Sequence, residues 1–125
     1  MDTPALRETL PFERIELSTS DPWDLANSII VLRRDGSFAI NQASGKPGSV
    51  SPVAYGQLCY LIERIGFESM KPRYEWGGYD GTTLTVKVWR AGSEQPITVE
   101  DYGGVGPPDL WTLRAAIVAV AAEAR

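Results

Sequence analysis

Histidine is absent from this 125-residue chain. Its absence removes the side chain whose ordinary pKa suits proton transfer near neutrality, and the commonest metal ligand. Ser-His-Asp and Cys-His nucleophile arrangements are excluded with it. Cysteine occurs once, as Cys59. No internal disulfide can form, and a reducing compartment suits such a chain. One thiol and no imidazole leave little but carboxylates for zinc, a poor donor set. No D-x-D-x-D-G loop is present for calcium. No apolar run approaches the ~20 residues that a membrane-spanning helix needs. Met1-Asp2-Thr3-Pro4 has neither the basic start nor the apolar stretch of a signal peptide. The expectation is a cytoplasmic protein with no membrane association, no metal and no cofactor.

Sixteen acidic residues against twelve basic give a formal charge of −4 and a pI near 4.8. Phosphate backbones are repelled by such a surface on average, so nucleic acid is not an expected partner. A basic protein is the better match. With 43% hydrophobic and 22% charged residues, the chain can bury a core and stay soluble. Its length fits one domain, 1–125, without repeats or a linker. Residues 1–11, broken by Pro4 and Pro11, read as a loose arm.

The order of elements follows from periodicity. Residues 14–19 alternate, with Ile15, Leu17 and Thr19 on one face. Pro22 and its neighbours form a turn. Residues 28–34 and 37–41 flank Asp35-Gly36, a hairpin signal of the two-residue type. That pairing sets Arg33 opposite Phe38 and puts Ile29, Val31, Phe38 and Ile40 on the core side. Ser51-Pro52 opens a helix, with Tyr55, Leu58, Cys59, Ile62 and Ile65 at helical spacing and Gly66 as its left-handed cap. Strands at 83–90 and 96–102 form a second antiparallel hairpin. A last helix carries Leu110, Leu113, Ile117, Val120 and Ala124 on one stripe. The predicted fold is α+β: an antiparallel sheet of about five strands, in the order β-β-β-α-β-β-α, with two helices on one face.

Three stretches could carry function. Gly103-Gly104-Val105-Gly106 precedes the last helix, as phosphate-binding turns do, but Pro107 and Pro108 have no N–H to offer an anion. The spacing fits neither G-x-G-x-x-G nor a Walker loop. A rigid strand-to-helix joint is the plainer reading, with an anion site as the alternative. The carboxylates Asp80, Glu100, Asp101 and Asp109 cluster around the second hairpin. Solvated surface charge is the default for them, and a carboxylate pair for glycoside hydrolysis the alternative. Tyr74, Trp76 and Tyr79 stand among glycines and acids on an irregular segment. Loops often hold binding groups, and Tyr and Trp dominate interface hot spots. The alternative is a loop whose rings cap the core.

The second half of the chain resembles a family of small bacterial domains of unknown function. The resemblance rests on Gly66-Phe67, on Tyr74 with Asp80, on the strand start 83–86, and on the D-Y-G-G-x-G-P-P-x-L passage within 99–110. That family's usual Cys-Phe-Gly-x-Cys-Pro segment is replaced here by Asp21-Pro22-Trp23-Asp24. The resemblance implies the α+β fold and no activity.

The resulting expectation is a non-enzymatic protein-binding module with no catalytic residues, monomeric or weakly dimeric. Tyr74, Trp76, Tyr79, Asp80, Asp101 and Tyr102 are its candidate binding residues. A toxin-neutralising immunity protein, docking on a basic toxin or enzyme, is the concrete version. The alternatives are a small-ligand or sugar binder using the Trp76 and Tyr79 rings, and a carboxylate-based enzyme.

Overall fold

The computed structural model describes residues 7, 9–21, 24–41, 43–44, 49–75 and 82–124. The chain is α+β. Seven strands form one sheet: β1 (Phe12–Asp21), β2 (Asp24–Arg33), β3 (Phe38–Ile40), β4 (Ala43–Ser44), β5 (Arg73–Glu75), β6 (Thr83–Arg90) and β7 (Ile97–Tyr102). Their spatial order is β4-β3-β2-β1-β6-β7-β5. Among the described residues two α-helices follow the hairpins, α1 (Pro52–Arg64) and α2 (Pro108–Ala124).

The sheet is larger than the expected five strands and not wholly antiparallel. β5 pairs with β7 in parallel, Tyr74 opposite Asp101. β4 and β5 are two and three residues long, too short to show an alternation. β5 follows α1 and a 3-10 turn at Phe67–Ser69, and the chain passes through β6 before it reaches β7, a connection long enough for a parallel pair.

Strict alternation along β1 and β6 decides which face is buried. Ile15 and Leu17 stand opposite Val88 and Val86, and all four are at most 3% exposed. The stripes of α1 and α2 close over this face. α1 is capped by the Ser51 hydroxyl, which accepts from the Ala54 N–H at 3.1 Å. Tyr55, Leu58, Cys59 and Ile62 are buried from it. Burying each of the larger apolar side chains stabilises the fold by about 1.5–3 kcal/mol. Gly66 adopts the left-handed conformation at φ 70°, as a C-terminal cap requires. α2 buries Leu110, Leu113, Ile117, Ala121 and Ala124. The expected stripe is thus right except at Val120, which is half-buried while Ala121 lies inside.

The first hairpin overturns the predicted register. Leu32 faces Phe38 and Ile30 faces Ile40, so Ile30 and Leu32 are the core residues. Ile29 and Val31 fall on the opposite face. The cause is the turn. Gly36 has φ +95°, and Asp35 is not among the positive-φ residues, whereas a two-residue type I′ turn needs both. The loop is instead three residues long, Arg34-Asp35-Gly36, closed by Gly36 N–H to Arg33 O (2.9 Å) and Arg33 N–H to Ser37 O (3.0 Å). One residue of slip exchanges the faces of a strand. The turn is also buttressed from the N-terminal side: Arg7 donates to the Arg34 and Val50 carbonyls at 3.2 and 3.0 Å.

Candidate binding surface

The glycine-proline passage is organised around one buried side chain. Asp101, on the helix-facing side of β7, is fully buried. Its Oδ1 accepts from the Val105 N–H at 3.0 Å, and its Oδ2 from the Gly106 N–H at 3.1 Å and the Trp111 indole N–H at 2.7 Å. Gly103 and Gly104 take positive φ of 89° and 76°, which turns the chain back over Asp101. Gly106 packs closely, since a Cβ there would sit 3.0 Å from Asp101 Oδ2 and the carboxylate would have to give by a few tenths of an ångström. α2 then begins at Pro108, a position where a missing N–H costs nothing. The amides at 105 and 106 do hold an anion, and it is the chain's own Asp101. The passage is therefore a self-contained joint.

This arrangement sorts the candidate residues. Asp101 is withdrawn from any outward surface. Tyr74 is half-buried on the same side; its ring edge lies where a Gly106 Cβ would come within 3.4 Å, and its hydroxyl accepts from the Lys71 N–H at 3.0 Å. Trp76, Tyr79 and Asp80 lie outside the described residues. Tyr102 faces the other way. It stands on the sheet face that neither helix covers, with the Arg73 guanidinium 4.3 Å from its ring centroid. Its hydroxyl donates to Glu100 Oε2. That hydrogen bond is the main reason its pKa is raised, since it holds the phenol in its protonated form.

The helix-free face has a second arginine–aromatic pair, which the sequence reading left aside. Trp89 is opposite Arg14 across β6 and β1, and the Arg14 guanidinium lies 4.8 Å from its ring centroid. The signal was available: alternation puts Trp89 on the polar side of β6, where a large ring has no packing duty. Arg14 also pairs with Glu16 at 2.6 Å. Its other neighbour is Arg33, directly opposite on β2. Like charges in that relation are destabilising. A cavity of about 540 Å³ opens beside this end of the face, lined in part by Arg14, Arg33 and Trp89. A depression of about 440 Å³ further along is lined by Glu16, Ile29, Lys87, Glu100 and Tyr102, among others.

The charge on this face is mixed. Arg14, Arg33, Arg73 and Lys87 are set against Glu16, Glu75 and Glu100. The chain's net acidity therefore resides elsewhere. Cys59 offers no nucleophile: it is buried in α1, and burial pushes its thiol pKa up to about 11. Among the described residues no group of three or more Cys, Asp or Glu side chains comes together as a metal set. None of the described helices is long and apolar enough to cross a membrane. No protein-family model, curated protein or solved structure matches the chain.

Proposed function

We propose that this chain is a protein-binding module without chemistry of its own, and that it presents the helix-free sheet face to its partner. One observation carries the reading. Trp89 and Tyr102 lie on a face that neither α1 nor α2 covers, each with a guanidinium over its ring. Trp, Tyr and Arg are the residues that dominate interface hot spots. Stacked arginines hold their forks with less freedom left to lose on binding. Ile29, half-buried, adds apolar surface to the same face.

The concrete version is an immunity protein that blocks a toxin. The net charge of −4 supports it, because an acidic protein is steered toward a basic toxin. The mixed charge of the face would then set register rather than attraction. A carboxylate-enzyme reading draws on Glu16 and Glu100, which line one depression. Their strands are separated by β6, so the backbones stand two strand spacings, ~9.6 Å, apart before any offset along the strands.

The test is affinity capture from the native host with wild type and with Trp89→Ala/Tyr102→Ala. The reading expects a stoichiometric protein that the double variant loses while keeping its fold. A partner held equally by both forms would contradict it. Turnover of a glycoside by the purified chain, lost in Glu100→Gln, would favour the enzyme instead.

A further inference from the structure

A second cavity lies on the other side of the sheet, between α2 and the strands β1 to β3. Its volume is about 350 Å³, at the small end of the range for ligand pockets. Leu17, Ile30 and Ile40 line it from the sheet, and Val118, Ala121 and Ala122 from the helix. Four of the ten described lining residues are polar: Thr19 and Ser28, which are partners across β1 and β2, then Asn41 and Arg114.

Arg114 is the unusual member. Its Nε is buried and has no hydrogen-bond partner. The guanidinium lies 5.7 Å from the Trp111 ring centroid, and among the described residues no acidic side chain lines the cavity. A buried donor without an acceptor is costly, more so when it is charged. Asn41 points the same way. It holds a left-handed conformation at φ 53°, and its Oδ1 accepts from the Ile29 N–H at 2.9 Å. Its amide NH₂ is thereby left as a donor at the rim. Val118, one turn beyond Arg114, is 41% exposed, so an apolar wall reaches solvent beside a guanidinium whose Nε lacks an acceptor. Small-molecule sites combine apolar walls with polar groups that fix the orientation, and this cavity has both.

We propose that this cavity binds a small amphiphilic carboxylate. The apolar chain lies between α2 and β1–β3, over Leu17, Ile30, Ile40 and Val118. The head accepts from Arg114, and Asn41 supplies the second donor. A planar guanidinium suits a carboxylate because two parallel N–H donors match its two oxygens. This site is on the opposite side of the sheet from Trp89 and Tyr102, so it stands or falls apart from the protein-binding reading.

Calorimetric titration with decanoate, below its micelle-forming concentration, tests the proposal. Decanol serves as the uncharged probe of equal length. The expected result is saturable one-to-one binding of decanoate, with decanol about tenfold or more weaker. Arg114→Gln should weaken decanoate by a similar factor, the scale of one charge-assisted hydrogen bond. Ala122→Phe fills the mouth from an exposed position and should abolish binding while the circular dichroism spectrum is unchanged. Absence of saturable binding to the wild type would overturn the proposal. So would equal decanoate affinity in wild type and Arg114→Gln, or binding that survives Ala122→Phe.

Discussion

Replacing Asp101 by alanine should be the most damaging single change in the joint. The substitution removes the acceptor of three donors at once: two backbone N–H groups and the Trp111 indole. The side chain is fully buried, so solvent does not readily replace it. Each orphaned buried donor costs about 1–3 kcal/mol. Some relaxation is available because Gly104 and Val105 are exposed. The expected loss is about 3–5 kcal/mol, a large share of the 5–15 kcal/mol typical of a domain. Asp101→Asn keeps one acceptor oxygen, turns a donor toward a donor, and should lose about 1–3 kcal/mol. Urea unfolding followed by tryptophan fluorescence measures both. With a slope of about 2 kcal/mol/M, the midpoint should fall by roughly 2 M for alanine. A double-mutant cycle with Trp111→Phe isolates one bond: Trp111→Phe should cost clearly less in the Asp101→Ala background than in wild type. A loss under about 1 kcal/mol for Asp101→Ala, or no coupling in the cycle, would refute the argument that Asp101 holds this passage together.

Three further outcomes follow from other parts of the molecule. Gly36→Ala should destabilise by about 1–2 kcal/mol from its left-handed φ alone. It should cost more where its Cβ meets Arg7 Nη1, 2.9 Å away, and thermal unfolding reads the change. Cys59 should react with a disulfide reagent at pH 8 at least about a hundredfold more slowly in the native state than in urea, because a pKa near 11 against a normal 9.0 starves it of thiolate. Asp35 has a lowered pKa, first because the Ser37 hydroxyl donates to it and then because the Ser37 N–H does. The unfolded chain binds its proton more readily, so the stability it contributes is present above the ordinary carboxyl pKa of 3.8 and is lost as pH falls through the lower folded value. Ser37→Ala should move the Asp35 titration, followed by NMR, back up toward 3.8.

Much of the architecture was legible from residue periods. The alternation at 83–90 and the helical spacing of Tyr55, Leu58, Cys59 and Ile62 are both strong, because each element buries only one face. The register of the first hairpin was not legible. Asp35-Gly36 serves a two-residue or a three-residue turn equally well, and the choice rests on long-range support from Arg7 and Val50. Strand β5 was hidden because three residues show no period, and its partner β7 comes only after β6. The glycine-proline passage was read as a strand-to-helix joint, yet the buried Asp101 that organises it was missed. Asp101 looked like a surface carboxylate because the three donors that bury it come from later in the chain. Tyr102, its neighbour, points to the opposite face by the alternation of β7. Trp89 could have been singled out by the same rule that places it opposite the core residues Val86 and Val88.

The most direct measurement is the affinity of the captured protein partner for variants on the two sides of the sheet. Trp89→Ala should weaken the complex by at least tenfold, whereas Val53→Ala, at an exposed position on α1, should leave it unchanged. Loss of binding in Val53→Ala with full affinity in Trp89→Ala would place the partner on the helices and contradict the account.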